Sequence, residues 1–228
     1  MFDKVKFNQF LIESNVIGFF EKPITLKSGR QSYWYANCRN LSNTLEMLDR
    51  TASFVIDFIE ENIEGDGIEF DYVYGVPEGA SKLAIIVSYK LGLKNKKNDQ
   101  KIVMGRGQPK PHGMPKDKYF IGDVNEGDRV LVIEDVTTTA GSLLTTIKQL
   151  REAKINVVGA LSLVNRMEKR DDGKSVEAAL NELSVPYFPL GNAFNLLPLA
   201  REKYKPSKEI QEHIEAAFRM YGVKEFKF

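Results

Sequence analysis

Cysteine is the residue type that this 228-residue sequence most clearly lacks, since Cys38 is the only one. A single cysteine excludes an internal disulfide bond and a cysteine-rich zinc site. This usage is typical of a reducing compartment, so we expect Cys38 to be a free buried thiol and the protein to be cytoplasmic.

Long apolar runs and an excess of one charge are also absent. No run approaches the roughly 20 apolar residues that a membrane-spanning helix needs. The segment from Met1 to Lys6 lacks the apolar region of a secretory signal. The 32 Lys and Arg residues balance 31 Asp and Glu residues and leave a net charge of +1, which argues against a nucleic-acid-binding surface. We therefore expect neither a membrane nor a nucleic acid as partner.

The most informative segment that is present covers residues 130–142. A short apolar run, Val130–Ile133, is typical of a buried parallel strand, and two carboxylates, Glu134 and Asp135, follow it. A hydroxyl-rich turn then leads into a helical pattern. Because ligands of open α/β sheets bind at the carboxyl ends of strands, and because a turn that opens a helix can bind phosphate, this pattern indicates a sugar-phosphate site.

A purely structural role for this turn is the alternative, because strand–turn–helix units capped by Thr and Ser are common. Two adjacent carboxylates at a strand end repel each other unless a ligand binds beside them, which favours the sugar-phosphate interpretation. The segment is neither a Walker loop nor a dinucleotide-binding fingerprint, since both glycine patterns are missing.

Apolar runs and helical patterns alternate along most of the chain, which predicts an α/β fold with a mainly parallel sheet flanked by helices. The N-terminal part fits this pattern less well and is predicted to form a separate cap. The predicted strands are Ile24–Leu26, Ser32–Asn37, Phe70–Gly75, Lys101–Met104, 129–133, 155–164 and Val185–Leu190. The predicted helices are 3–20, 43–62, 82–91, 141–153, Ser175–Leu183 and Pro206–Tyr221.

Residues 105–118 form a different kind of segment, with three Gly, three Pro, five basic residues and one acid. This composition excludes a helix or a central strand, and the length is typical of lids and binding loops. Arg106 and Lys110 are suited to gripping a diphosphate, and His112 to donating a hydrogen bond or a proton. The alternative interpretation is a solvated surface loop, and for any one of these residues alone an ordinary surface charge is the simpler explanation.

Residues 130–142 resemble the phosphoribosyl-diphosphate motif of type I phosphoribosyltransferases. The resemblance implies that the paired acids hold the ribose 2- and 3-hydroxyls and that the turn holds the 5-phosphate. The donor contacts that it implies here are Glu134, Asp135, Val136, Thr137, Thr138, Thr139, Ala140, Gly141 and Ser142. The family usually has Gly where Ala140 stands.

Two further segments resemble the orotate phosphoribosyltransferase family. Thr25–Ser32 is similar to its Thr-Leu-Lys-Ser-Gly-Arg-x-Ser signature, and Arg106–Gly113 is similar to its catalytic loop. The family often has Lys where Gly107 stands, and some members have Lys where Gly79 stands. The resemblance implies that the catalytic residues are Arg106, Lys110, His112 and Asp135, that Lys27, Glu78 and Gly79 join the diphosphate contacts, and that orotate is bound by Lys27, Tyr35, Ala36, Thr138 and Arg166.

Read without the resemblance, Arg166 is a surface cation beside Lys169 and Arg170, and the hairpin around Gly29 is an exposed structural turn.

The resemblance implies a type I phosphoribosyltransferase-like domain over residues 1–228, with 1–40 contributing a hood and 190–228 a C-terminal helical extension. It implies transfer of the phosphoribosyl group from 5-phosphoribosyl 1-diphosphate to orotate, in the biosynthesis of UMP. It also implies Mg²⁺ held mainly by substrate and water, without dedicated protein ligands. A homodimer in which the 105–118 loop reaches the neighbouring site is implied as well.

Three alternatives remain open from the sequence. A purine or uracil phosphoribosyltransferase would share residues 130–142, but the segment Lys27–Ser32 and Arg166 argue against it. A non-catalytic regulator that binds phosphoribosyl diphosphate is kept open by Gly79, Gly107 and Ala140. An enzyme for another acidic base is the third.

Overall fold

The structure, a computed structural model, describes residues 1–112 and 118–228. Its helices are α1 (Lys4–Glu13), α2 (Leu45–Ile59), α3 (Ser81–Lys94), α4 (Gly141–Glu152), α5 (Val176–Asn181), α6 (Ala193–Tyr204) and α7 (Lys208–Tyr221). Its strands are β1 (Ile17–Thr25), β2 (Gln31–Ala36), β3 (Tyr72–Gly75), β4 (Met104–Gly105), β5 (Phe120–Ile121), β6 (Arg129–Thr137), β7 (Asn156–Asn165) and β8 (Tyr187–Asn192). Within these ranges, no helix is long and apolar enough to cross a membrane.

The central sheet has four parallel strands in the order β3-β6-β7-β8. Parallel neighbours need crossover connections, and the helices α3, α4 and α5 lie in these connections. The sequence prediction of a mainly parallel α/β sheet flanked by helices is confirmed.

Strand β6 explains why the sheet is buried on both faces. Leu131 and Ile133 enter one hydrophobic cluster, together with residues of α1, α2, α3, α6 and α7. Val130 and Val132 enter a second cluster with residues of α4 and α5. Because successive side chains of a strand point to opposite faces, four consecutive aliphatic residues supply both cores. This burial fixes the carboxyl end of β6, where Glu134 and Asp135 follow.

The N-terminal cap is an antiparallel pair formed by β1 and β2. The predicted helix over residues 3–20 is wrong beyond Glu13. Asn15 adopts a left-handed backbone with φ of 53°, and the N–H of Val16 donates to the carbonyl of Leu11 at 3.0 Å. This is a helix-terminating hydrogen-bond pattern, and asparagine is one of the residues that tolerate it. The chain then reverses into β1 at Ile17.

The base of the loop after α3 also differs from the prediction. Of the predicted strand Lys101–Met104, only Met104 is in a strand, the two-residue β4, which pairs with β5. The N–H of Arg106 donates to the carbonyl of Tyr119, and that of Lys110 to that of Lys118. The described part of the 105–118 segment is thus held at its base as a narrow hairpin.

Helix α6 was not predicted from the sequence. Pro198 lies inside it and obscures its helical pattern, although Leu196, Leu197 and Ala200 are buried on one face. The side chain of Asn192 caps it by accepting from the N–H of Asn195 at 3.2 Å. The predicted terminal helix is confirmed as α7.

Helix α7 contributes to the core, and its buried and exposed faces give a direct test. Ile214 is 1 % exposed, whereas Met220 on the same helix is 69 % exposed. We expect Ile214→Ala to lower the free energy of unfolding by about 2–5 kcal/mol. The control Met220→Ala should change it by less than about 0.5 kcal/mol. Urea unfolding of the ligand-free protein measures both, and an Ile214→Ala variant as stable as the control would contradict the packing of α7.

Candidate active site

A cleft with two connected lobes lies at the carboxyl end of the central sheet. The turn lobe has a volume of about 380 Å³ and lies against the turn between β6 and α4. The hood lobe has a volume of about 210 Å³ and lies against β2 and the residues that follow it. The lobes are continuous, since both are lined by Lys27, Pro77, Glu134, Val136, Thr138 and Ser142.

The turn lobe ends on the N-terminus of α4. Helix α4 begins at Gly141 without a side-chain cap, and Ala140 before it has a left-handed backbone with φ of 55° and ψ of 22°. The first N–H groups of a helix lack partners within the helix, and the helix dipole adds partial positive charge there. The residues Thr138, Thr139, Ala140, Gly141 and Ser142 all line the lobe. This arrangement can bind a phosphate group.

Thr137 is the one residue of the predicted segment Glu134–Ser142 that does not line the cleft. It is fully buried, and its hydroxyl lies 2.6 Å from the hydroxyl of Tyr187. Its side chain therefore supports the turn from inside the core.

Of the paired carboxylates, Glu134 lies where the two lobes meet and Asp135 lines the hood lobe. Glu134 is only 5 % exposed, and its Oε1 accepts a hydrogen bond from the N–H of Asp135 at 3.1 Å. Burial, followed by the neighbouring charge of Asp135, raises the pKa of Glu134 well above its ordinary value. An ionised Glu134 is consequently costly in the ligand-free protein, and groups that donate hydrogen bonds to it, such as sugar hydroxyls, would relieve this cost.

The carboxylate of Asp135 closely approaches the backbone of Gly79. A Cβ atom at Gly79 would lie 2.4 Å from Oδ2 of Asp135, and one at Gly107 would lie 2.6 Å from Oε1 of Glu78. Any side chain at either position would have to displace a carboxylate. At Gly79 the whole carboxylate of Asp135 would obstruct a side chain, whereas at Gly107 the obstacle is only the end of the flexible Glu78 side chain. Lys82 does not replace a lysine at these positions, because its Nζ donates to the carbonyl of Ser42 at 3.3 Å.

Lys27 connects the cap to the turn. Its Nζ donates to Oγ of Ser142 at 2.8 Å, across a separation of 115 residues. Lys27 lines both lobes, so its positive charge lies close to the turn lobe and to the hood lobe.

Arg166 lies at the floor of the hood lobe and is not the surface cation that the sequence alone suggests. It is 2 % exposed, and its guanidinium lies 3.7 Å from the ring centroid of Trp34. Its Nε donates to Glu168 at 2.9 Å and its Nη2 to Oγ of Ser32 at 3.0 Å. Burial lowers the pKa of Arg166, while Glu168 opposes this effect. The group is therefore a fixed, desolvated cation that can pair with a carboxylate.

Sequence reasoning missed the residues that hold Arg166 in place. Arg30 bonds Glu168 at 3.2 Å and Asp171 at 2.7 Å, and it lies 4.6 Å from the ring centroid of Tyr221 at the end of α7. A signal was available for Arg30, because it belongs to the Thr25–Ser32 segment that resembles the family signature. No such signal was available for Glu168, because in the sequence it is one charged residue among several in a polar segment.

Other predicted residues divide between the two lobes. Tyr35 and Ala36 line the hood lobe, together with Glu78, Gly79 and Asp135. Arg106 lines the turn lobe. Lys110 is half-buried and His112 is exposed, and neither lines the two lobes in the described part of the loop. The rest of the predicted loop, residues 113–117, lies outside the described residues.

Comparison with known proteins identifies similar chains over nearly the whole length. The family model of the phosphoribosyl transferase domain matches residues 43–189. The chain is 30 % identical to orotate phosphoribosyltransferase of Agathobacter rectalis over 97 % of this chain and 98 % of the relative. It is 32 % identical to that of Thermococcus gammatolerans, over 82 % of this chain and 88 % of the relative.

A solved structure supports the fold. The crystal structure of orotate phosphoribosyltransferase from Francisella tularensis matches with a TM-score of 0.69 at 22 % identity, over 96 % of this chain and 100 % of that chain. Because the identity is low, this likeness supports the type I phosphoribosyltransferase fold and nothing finer.

The raised pKa of Glu134 predicts a pH-dependent gain in stability for Glu134→Gln. The folded protein holds a proton that the unfolded chain releases near the ordinary pKa of 4.5. The stability from this proton is fully present below that pH and is lost as the pH rises through the raised pKa. We expect Glu134→Gln to leave the melting temperature nearly unchanged near pH 4.5 and to raise it by roughly 3 °C or more above the raised pKa.

Thermal unfolding of the ligand-free protein across pH gives the measurement, and the exposed Glu202→Gln is the matched control. Glutamine can still accept the hydrogen bond from the N–H of Asp135, so the gain reports the charge. A constant difference at all pH values would show that Glu134 is not the group that titrates.

Proposed function

We propose that this chain, which belongs to the orotate phosphoribosyltransferase family, transfers the phosphoribosyl group of 5-phosphoribosyl 1-diphosphate to orotate. The products are orotidine 5-monophosphate and diphosphate, and the reaction is a step in the biosynthesis of UMP. The observation that carries the proposal is the continuous cleft in which a phosphate-binding turn, two carboxylates and a buried arginine succeed one another.

The donor fits the turn lobe and the junction of the lobes. The N-terminus of α4 supports binding of the 5-phosphate, with Lys27 beside it. Glu134 and Asp135 then accept hydrogen bonds from the two ribose hydroxyls. The diphosphate lies towards Arg106 and the segment Glu78–Gly79, the former in the turn lobe and the latter in the hood lobe.

Magnesium is part of the proposal. Oxygen atoms are the ligands that Mg²⁺ prefers, and the carboxylates of Glu78, Glu134 and Asp135 border the hood lobe. We propose that the ion is held largely by substrate oxygens and water. When bound, magnesium supplies positive charge that neutralises the leaving diphosphate.

The acceptor fits the hood lobe. Arg166 is a desolvated guanidinium whose remaining N–H groups can pair with the carboxylate of orotate. The ring of Tyr35 and the backbone at Ala36 border the same space, and Thr138 and Lys27 close it on the side of the donor. The pyrimidine nitrogen is the nucleophile, so no protein nucleophile is required.

The residues of the chain perform three tasks in this reaction. Glu134 and Asp135 fix the ribose ring while its anomeric carbon passes through an oxocarbenium-like state. Arg106 and Lys110 neutralise the leaving diphosphate, and His112 donates to it. The 105–118 loop excludes water, which would otherwise hydrolyse the donor.

The setting of the reaction is also proposed. We place the protein in the cytoplasm as a homodimer, with the 105–118 loop of each copy reaching the neighbouring site. Residues 1–228 act as one domain, in which 1–40 form the hood and 190–228 the C-terminal helical extension. The shared core supports this assignment, because Phe7, Leu131 and Ile214 belong to one hydrophobic cluster.

The reaction is tested by the loss of orotate absorbance when purified protein is mixed with orotate, phosphoribosyl diphosphate and Mg²⁺. We expect turnover that requires all three. Uracil, which lacks the carboxylate that Arg166 would bind, should not be consumed. No turnover, with the donor still raising the melting temperature, would instead support a regulator, and turnover with a different acidic base would support the third alternative.

Lys110→Ala separates an enzyme from a regulator. Because Lys110 would act on charge that develops as the diphosphate leaves, we expect kcat to fall about 100-fold or more. Donor affinity should change only several-fold, since the other contacts remain. Steady-state kinetics and calorimetry measure the two effects, with the exposed Lys97→Ala as control. Full turnover by Lys110→Ala would remove Lys110 from the mechanism.

A further inference from the structure

The backbone of Ala140 is held in a conformation that alanine disfavours. Its φ of 55° lies in the left-handed region, where the Cβ atom of an L-residue crowds the following carbonyl oxygen. Ala140 also lies at the start of α4 and lines the turn lobe. A strained residue inside a binding turn persists only when its surroundings hold it in place.

Arg170 makes a contact that holds the peptide before Ala140 in its orientation. Its Nη1 donates to the carbonyl oxygen of Thr139 at 2.6 Å, although 31 residues separate them in the chain. Its Nε donates to Oδ2 of Asp172 at 3.2 Å. The backbone of Arg170 is fixed in turn, because its N–H donates to the carbonyl of Lys174 and its carbonyl accepts from the N–H of Gly173. The guanidinium is therefore anchored on its own segment before it reaches the turn.

The contact determines the direction of a neighbouring N–H group. In a planar trans peptide the carbonyl and the N–H point in opposite directions. Since Arg170 holds the carbonyl of Thr139, the N–H of Ala140 is directed away from Arg170. Rotating this peptide plane would let Ala140 leave the left-handed region, but it would break the bond from Arg170 and reverse the N–H.

We propose that Arg170 is a positioning residue, which locks the Thr139–Ala140 peptide in the orientation that binds the 5-phosphate of the donor. The peptide then has two orientations: the strain at Ala140 favours rotation out of the left-handed region, and the bond from Arg170 favours the orientation seen in the structure. Arg170 itself lies outside both lobes of the cleft and acts on the phosphate through the peptide. This inference rests on the proposed function only in naming a sugar 5-phosphate as the ligand of the turn.

The proposal predicts that the need for Arg170 depends on the residue at position 140. Methionine removes the guanidinium and keeps much of the side-chain length, so Arg170→Met breaks the bond to Thr139. We expect it to weaken the binding of ribose 5-phosphate about tenfold when Ala140 is present. Glycine adopts the left-handed conformation without strain. In an Ala140→Gly background, Arg170→Met should therefore weaken binding only about two- to threefold.

Calorimetry with ribose 5-phosphate, without orotate or Mg²⁺, measures all four proteins of this cycle. Arg151→Met is the matched control, because Arg151 also donates to a backbone carbonyl, that of Leu183, and lies outside both lobes. Its affinity should equal that of the wild type. Melting temperatures measured in parallel show whether each variant is folded at the temperature of the titration.

If Arg170→Met weakened the binding of ribose 5-phosphate equally with Ala140 and with glycine at position 140, the proposal would be overturned. Arg170 would then act on the phosphate as a distant charge and not through the peptide. Unchanged affinity in Arg170→Met, or a wild type that does not bind ribose 5-phosphate, would overturn the proposal as well. The proposed function fails separately, if the wild type binds ribose 5-phosphate but does not consume orotate.

Discussion

The architecture of the cleft depends on two adjacent carboxylates placed at the end of a fully buried strand. Val130–Ile133 fill both cores of the sheet and fix the end of β6, where Glu134 is buried and Asp135 is half-buried. Burial and mutual repulsion make this end of β6 an unfavourable place for negative charge until hydrogen-bond donors arrive. A ligand rich in hydroxyl groups would relieve that cost, and this is the physical basis that we propose for recognition of the ribose.

The hood side of the cleft meets a second demand, which is to hold a buried cation without neutralising it fully. Arg166 has Glu168 as its ionic partner, and Arg30 shares that carboxylate. Glu168 is thus divided between two guanidinium groups, and the second partner of Arg30, Asp171, is exposed to solvent. The buried charge of Arg166 is therefore only partly neutralised and can pair with a carboxylate. Removing one partner of such a network is expected to be costly, since it strands a buried charge. The ring of Tyr221 contacts Arg30 and so connects the end of α7 to the network that holds Arg166, outside the cleft itself.

Local patterns determined what the sequence could predict. The unit from β6 to α4 was predictable, because its apolar run, its paired acids and its helical spacing all lie within about 20 consecutive residues. The helix predicted over 3–20 was wrong beyond Glu13, because the apolar residues of Val16–Phe20 are compatible with a helix as well as with a strand. The feature that ends the helix is the left-handed backbone of Asn15. Helix α6 was missed because Pro198 interrupts its pattern.

The burial of Arg166 was beyond sequence reasoning for a different reason. Its partner Ser32 lies 134 residues away in the chain, and Trp34 lies 132 residues away. No local pattern reports contacts at such separations. The role that we propose for Arg166 comes from the resemblance to a family, and its environment comes from the structure. The steric crowding at Gly79 likewise depends on Asp135, which belongs to another segment.

The role assigned to Glu134 can be tested most directly by counting the protons that the protein releases when it binds the donor. Calorimetry of phosphoribosyl diphosphate binding in buffers of different ionisation enthalpy gives the number of protons released per site. If ribose hydroxyls stabilise the ionised carboxylate, its pKa falls on binding. The wild type should then release more protons than Glu134→Gln at pH values below the raised pKa. Equal proton release by the two proteins, at every pH from about 5 to about 8, would contradict the role assigned to Glu134.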